Sequence, residues 1–416
     1  MSTNILIIAD GRSPTAQHWI ANLQALGYSI SLISTFPCNP LDGLDNFFVL
    51  PVAFSRLGRS TGPESSALSP QSRKTPTRQL ILCFTPALQI LRYILGPLTL
   101  LKFARPYQKL VKEIKPDLVH ALRIPFEGML GSYTPLDFPF IAATWGNDLT
   151  LHAKASPLMR CFTKRCLKRA NGFSADTQRD VTLARTWGLP VETPSLVVPG
   201  SGGLDLNAIL AAPAFDPSAY GLPSTGNFVV NPRGIRPKSV HQEVFFKAIP
   251  IILKQRPDTH FICPGLAGNY HAENWVRRLG VQKNTHLLPK LPQPQLWSLM
   301  KASQIFVSPS SHDGTPNSLL EAMACGCFPV AGDIESLQEW IQDGSNGFLV
   351  DPRSPQSLAG ALCQALDNQP LHQKAAEHNL ILIRERASQQ ATQPLIQAFY
   401  AQFQKSWGES GDTKPK

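Results

Sequence analysis

The eight cysteines contain no C-x-x-C pair, and that absence argues against a zinc ribbon or a thioredoxin-like redox site. They stand mostly inside apolar runs, where a free thiol behaves as a small buried hydrophobe, and a disulfide-free chain of this kind fits a reducing compartment. Met1–Leu6 has neither the basic n-region nor the small-residue cleavage site of a secretory signal. A clean apolar run of about 20 residues, enough to span a bilayer, is also missing. The most apolar stretch, Leu80–Leu101, is interrupted by Gln89 and Arg92, and Pro86, Gly96 and Pro97 are expected to break helix there. Repeats of solenoid period are absent. Acids are scarce, 29 against 39 Lys and Arg, which gives a net charge of +10. The cation-rich part has no zinc finger, RRM signature or interleaved stacking aromatics, so nucleic acid is disfavoured as a partner.

What remains is a chain of 416 residues, 43% hydrophobic and 16% charged, able to bury a sizeable core and long enough for two domains. Its 37 prolines and 28 glycines lack a triplet period, so they mark turns and not collagen. Strands are expected at Ile5–Ala9, Ser29–Ser34, Phe47–Pro51, Leu118–Ala121, Phe140–Thr144, Gly172–Ala175 and Leu196–Val198, with helical segments between them. Gly, Pro, Ser and Ala then accumulate over Ser195–Ser224, which reads as a linker. The alternation resumes with strands at Phe228–Asn231, His260–Cys263, Thr285–Leu288, Ile305–Ser308, Phe328–Val330 and Gly347–Val350. A last helix is expected around Thr392–Trp407. The pattern predicts an α/β chain of two Rossmann-like domains facing across a cleft, each a parallel sheet wrapped by helices.

Three places carry chemistry. The stretch Ser308–Gly326 runs from a strand through small residues into a helix starting near Asn317, whose free N–H groups make an anion site. Gly314 permits close backbone approach, and Asn317 or Ser318 can cap. Glu321, about a turn inside, can accept two sugar hydroxyls. Asp313 lies eight residues earlier at the loop mouth. In Asn231–Val240, Arg233 and Lys238 follow a strand directly and can clamp a diphosphate. Cys263–Gly268 is a small-residue turn after another strand. Each has a plainer reading, in which the acids compensate a helix dipole or sit in solvent and the cations are solvated.

The order Arg233, Lys238, the Gly265 turn, Leu291–Leu296, Asp313 with Glu321, then Gly326-x-x-Pro329-Val330 resembles the donor domain of family-4 retaining glycosyltransferases of the GT-B fold. The run Asp343-Gly344-x-x-Gly347-Phe348-Leu349-Val350 fits the same family. The resemblance implies retaining transfer from a nucleotide-diphosphate sugar to a glycan or lipid-linked acceptor, in cell-surface polysaccharide or glycolipid synthesis. Arg233, Lys238, Asp313 and Glu321 would be catalytic, Glu321 gripping the ribose, and Asp148 would be the acceptor-side carboxylate. Gly265, Leu291, Gly314, Thr315, Pro316, Asn317, Ser318 and Leu319 would bind the donor. Gly11, Arg12, Ser13, His120, Trp145, Gly146 and Asn147 would line the acceptor side. No cofactor or metal is expected, since the leaving phosphate itself takes the acceptor proton. Residues 1–205 would be the acceptor domain and 206–390 the donor domain. Residues 391–407 would form a helix returning to the first, and 408–416 a disordered tail. The chain departs from the family in two places. Asp313 stands where the family has Glu, one methylene shorter, so its role can pass to the Gly314–Pro316 amides. Trp145 stands where a His is common. Asp148 also reads as a helix N-cap, and His120 as a satisfied core histidine.

Residues 56–123 hold twelve Lys and Arg against three acids, with apolar residues interleaved. That composition favours anionic lipid headgroups and points to a cytoplasmic protein docked peripherally on the inner face of the plasma membrane. The competing readings are a catalytically inactive sugar-nucleotide or glycan binder, a GT-B epimerase or phosphorylase, and a nicotinamide oxidoreductase. The last is disfavoured because Asp10-Gly11-Arg12-Ser13 is not G-x-G-x-x-G.

Overall fold

The computed structural model describes residues 3–55 and 76–403, with the side chains of 76–90 excepted. Trp407, the tail 408–416 and the first part of the basic segment lie outside the described residues. The chain divides into two compact units. Unit 1 comprises residues 1–176, 180–202 and 393–416, and unit 2 comprises 177–179 and 203–392.

Unit 1 is built on a seven-stranded parallel sheet of β1 (Asn4–Ala9), β2 (Ser29–Ser34), β3 (Asn46–Val49), β4 (Leu118–Ala121), β5 (Phe140–Thr144), β6 (Gly172–Ala175) and β7 (Ser195–Val197). The strand order is 3-2-1-4-5-6-7. In the interior strand β1, Ile5 to Ile8 are all fully buried because helices cover both faces. Unit 2 repeats the scheme with β8 (Asn227–Val230), β9 (Thr259–Pro264), β10 (Thr285–Leu288), β11 (Ile305–Ser308), β12 (Phe328–Gly332) and β13 (Phe348–Val350). Their order is 10-9-8-11-12-13, again parallel and reversing direction beside the first strand. In sheets of this order ligands sit outside the strand C-termini near that reversal.

Three helices depart from the sequence expectation. Pro76–Ile114 is one helix of 39 residues, so Pro86, Gly96 and Pro97 do not break it. At Pro97 the missing N–H would have satisfied the Tyr93 carbonyl, and Ser156 Oγ donates to that carbonyl instead, at 2.7 Å. Gly96 serves packing, since a Cβ there would lie 2.9 Å from the Phe126 ring. The helix Gln369–Arg386 was not anticipated at all. It buries only Ala375, Asn379 and Ile383, one residue per turn, too thin a stripe to stand out in a polar segment. The final helix spans Gln389–Ala401, shorter than expected.

Candidate active site

In unit 2 the loop after β8 is held by its own amides. Asn231 Oδ1 accepts the Arg233 N–H at 3.1 Å, and Gln242 donates to both Asn231 Oδ1 and the Arg233 carbonyl. Arg233 is thereby turned inward, 6% exposed, with one guanidinium nitrogen on Asp313 and the other on Ser318 Oγ at 3.2 Å. Its Nε has no partner. Asp313 accepts further bonds from Ser310 Oγ and the Gly314 N–H, both 3.2 Å, while its carbonyl takes Ser336 Oγ at 2.8 Å. Thr315 Oγ1 accepts from the Trp340 indole at 2.9 Å. The loop also lies against Gly332, where a Cβ would stand 2.0 Å from the Ser310 carbonyl oxygen. It delivers Pro316 as N-cap of the helix Asn317–Ala324, which opens with Asn317 and Ser318 half-buried.

Glu321, in the second turn of that helix, is 7% exposed and accepts from Gln293 Nε2 at 2.6 Å. Burial pushes its pKa up to about 8, although Trp297 and Gln293 pull the other way. Lys238 differs from Arg233. It is exposed, with a positive φ of 73°, on a turn tied to the loop after β11 by the Ser311 N–H on the Ser239 carbonyl at 2.9 Å. Gly265 sits in an open turn at φ 81°. Leu291 and Leu319 both belong to the apolar core of unit 2.

Unit 1 has a cavity of about 350 Å³ beyond the C-terminal ends of β1, β2, β4 and β5, lined among others by Asp10, Phe36, Arg92, Tyr93, Arg123 and Trp145. Arg12 is forked onto Asp10 at 2.9 and 3.0 Å and stacks on Phe36 at 3.9 Å. Arg92 lies over both Phe36 and Phe126, 4.7 Å from each ring centre. Phe126 holds a positive φ of 69°, a strained conformation that costs on the order of 1–3 kcal/mol. Gly11 is needed where it stands, because a Cβ would meet Cys38 Sγ at 2.7 Å. Ser13 caps the helix Pro14–Ala25, accepting the Ala16 N–H.

Two expected acceptor residues have other duties. Asp148 is fully buried, and its oxygens are taken by Arg123 at 2.6 and 3.2 Å and by the N–H groups of Ile124 and Trp145 at 3.3 and 3.2 Å. No oxygen is left to face an acceptor, and Asp148 instead positions Arg123. It is not the N-cap either; Asn147 holds that place in the turn that follows. His120 is a core residue between Tyr400 Oη at 2.7 Å and Ser174 Oγ at 3.1 Å. Burial pushes its pKa down to about 3, so it stays neutral. Gly146 donates to Asp176 at 3.3 Å with φ 59°, and Asn147 is half-buried beside it.

The cavity residues Arg92, Tyr93, Arg123, Glu127 and His152 escaped the sequence reading. Arg123 alone had a signal, since it stands two residues past a strand end. Glu127 is buried and takes Thr35 Oγ1 at 2.7 Å, and burial raises its pKa. His152 stacks on Tyr93 and bonds its hydroxyl at 2.8 Å, and burial, then Arg123, lower its pKa to about 4.

Residues 215–379 match the model of glycosyl transferases group 1, and residues 74–177 match the glycosyl transferase 4-like model. A D-inositol 3-phosphate glycosyltransferase of Paenarthrobacter aurescens is 28% identical over 301 residues, 64% of this chain and 73% of that protein. One of Corynebacterium aurimucosum is 31% identical over 137 residues, and there the match spans only 32% of the relative. Among solved structures, Anabaena Alr3699/HepE in complex with UDP has a TM-score of 0.67 at 16% identity, covering 96% of this chain and all of that one. Sucrose-phosphate synthase of Thermosynechococcus elongatus has a TM-score of 0.70 at 15% identity, covering 96% and 98%. Such low identity speaks to fold alone, and the fold in both units is the same. With the two family models falling on the two units, the chain is a family-4-like glycosyltransferase of the GT-B fold.

Proposed function

We propose that the protein transfers a sugar, with retention of anomeric configuration, from a nucleotide-diphosphate sugar to a hydroxyl of a glycan or lipid-linked acceptor. The observation that carries this reading is the buried Arg233 at the N-terminus of the helix Asn317–Ala324, with Glu321 one turn further in. The helix N-terminus and Arg233 supply charge fixed in advance for a leaving diphosphate, with exposed Lys238 free to swing onto it. The bond from the anomeric carbon to the phosphate oxygen breaks, and its electron pair stays on the diphosphate. The acceptor oxygen bonds the oxocarbenium-like carbon from the same face, and its proton passes to a phosphate oxygen. The scheme asks for no metal. Glu321 holds the ribose hydroxyls. UDP is the first nucleotide to test, because the Anabaena structure carries it. The cavity of unit 1, with Arg92 and Arg123 in its wall, is the acceptor site in this reading. The basic segment 56–123 suits synthesis of a surface polysaccharide or glycolipid at an anionic membrane.

Calorimetry with UDP, GDP, ADP and their sugars is the test, with Glu321→Ala and Arg233→Ala as controls. Micromolar binding of one nucleotide, lost in both variants, supports the donor site. Failure of the folded protein to bind any of them removes the enzyme reading and leaves an inactive GT-B scaffold. The anomeric configuration of the product, read by NMR, decides retention.

A further inference from the structure

The helix Pro76–Ile114 is apolar on two opposite faces. One face, with Leu100, Ala104, Tyr107 and Val111 at helical spacing, is buried in the core of unit 1. On the other, Leu91, Ile94, Leu95, Leu98 and Leu101 keep the same spacing but are 38%, 47%, 41%, 44% and 56% exposed. They make up five of the large hydrophobic side chains that unit 1 leaves in solvent, drawn together on about three turns. The face then changes character. Lys102, Arg105, Lys109 and Lys112 continue it, all exposed. At 3.6 residues per turn these nine side chains fall within an arc of about 120°. Between 91 and 112 no other residue enters the arc; Glu113 follows at its edge, 3.6 Å from Lys109, so the face carries four cations against one acid.

We infer that this face docks on an anionic lipid bilayer, its leucines entering the acyl boundary and its cations meeting the headgroups. Leucines in water gain by burial in hydrocarbon, and Lys and Arg stems can lie along the surface with their charges at headgroup level. A second copy is a poor occupant. An antiparallel pair would set the cations of one helix on the leucines of the other, and a parallel pair would set cation on cation, with only Glu113 on each helix to offset four positive charges. An acidic protein partner would satisfy the cations but not the leucines.

The same helix also walls the cavity. Arg92 and Tyr93 point into it while Leu91 and Ile94 face outward, so the docked face and the cavity meet within one turn. An acceptor whose lipid stays in the bilayer would present its head to the cavity there. That consequence rests on the reading of unit 1 as the acceptor unit; the docking itself does not.

Co-sedimentation of the full chain with vesicles is the test, using phosphatidylcholine alone and phosphatidylcholine mixed equally with phosphatidylglycerol. We expect binding to the anionic vesicles, weakened by salt, and little to the neutral ones. Replacing Lys102, Arg105, Lys109 and Lys112 by Gln should lower partitioning by about fivefold per cation. Leu98→Ser with Leu101→Ser should abolish it while leaving thermal unfolding and UDP binding unchanged, since both side chains are already in solvent. Equal binding to the two vesicles, no binding, or a solution dimer dissociated by Leu98→Asp would each overturn the inference. Vesicle binding without nucleotide binding would sink the donor reading alone, and nucleotide binding without vesicle binding would sink the docking alone.

Discussion

Glu321 gives the proposed donor site a pH dependence with a definite sign. Its carboxyl has a pKa of about 8 because burial disfavours the charge, so at neutral pH the unliganded protein holds it mostly as the acid. Gripping two ribose hydroxyls calls for a carboxylate, which accepts from both. Below pH 8, binding in that form must expel one proton. Affinity then rises about tenfold per pH unit between about pH 6 and 8, some 100-fold in all or about 2.7 kcal/mol, and levels off above. The ligand should be a nucleotide-diphosphate sugar, whose phosphates are esterified at both ends and do not titrate there. Calorimetry in two buffers of different ionisation enthalpy would count the expelled proton directly, and Glu321→Gln should flatten the profile. A wild-type affinity that is level or falls with rising pH would refute the reasoning, as would an unchanged slope in the Gln variant. Stability runs the other way. A folded-state pKa above the unfolded value contributes fully below about pH 4.5, and that contribution is lost as pH rises through 8.

Four further substitutions probe the framework. Asp148→Ala strips Arg123 and two backbone N–H groups of their buried acceptor and should cost about 3–5 kcal/mol; an unchanged unfolding midpoint would remove its positioning role. His120 must fold neutral, so its depressed pKa makes stability fall as pH drops below about 6.5, by about 2 kcal/mol between pH 7 and 5. His120→Gln should lose that sensitivity in urea titrations at the two pH values. Gly332→Ala drives a methyl into the Ser310 carbonyl and should cost about 1–3 kcal/mol, with weaker nucleotide binding because the Asp313 loop must shift. Ser156→Ala removes both the helix cap at the Met159 N–H and the donor to the Tyr93 carbonyl, a loss of about 1–2 kcal/mol visible in the melting temperature.

Strand positions were legible because a strand buried on both faces is a short apolar run with turn residues at each end. Ser29–Ser34, Leu118–Ala121, Phe140–Thr144, Gly172–Ala175, Thr285–Leu288 and Ile305–Ser308 begin and end where the residues predict. Helices were harder where tertiary contacts override local rules. Nothing in the sequence near Pro97 says that Ser156, 59 residues away, will satisfy the Tyr93 carbonyl. Arg233 and Asp313 stood out because each follows a strand closely, and Glu321 because it lies in a helix that opens behind a loop of small residues. The cavity of unit 1 did not. Its Arg92 and Tyr93 come from a helix that read as broken, and His120 carries the residue type of a catalytic group while filling a core position. Its partner Tyr400 is 280 residues away, a contact that only the fold creates.

The two units share one electrostatic device. Arg123 stands just past β4 and is fixed by Asp148 from the loop after the neighbouring β5, while Arg233 stands just past β8 and is fixed by Asp313 from the loop after the neighbouring β11. Each aspartate is itself buried, and a buried carboxylate is tolerated only with further donors. The Ile124 and Trp145 amides serve one; Ser310 Oγ and the Gly314 amide serve the other. A guanidinium held this way has little rotamer freedom left to lose, out of about 2 kcal/mol for a free side chain, when an anion arrives. The shorter acid at 313 acquires a purpose on this view. Tied to Arg233 and two other donors, its side chain supports the cation that would meet the diphosphate in the proposed reaction and does not reach outward to a sugar. Asp313→Asn then keeps the shape but frees the charge of Arg233. UDP should bind it as tightly as wild type or more so, while transfer slows because the guanidinium is no longer held. An Asn variant that binds UDP normally but fails only to tell one donor sugar from another would return Asp313 to the sugar-contacting role.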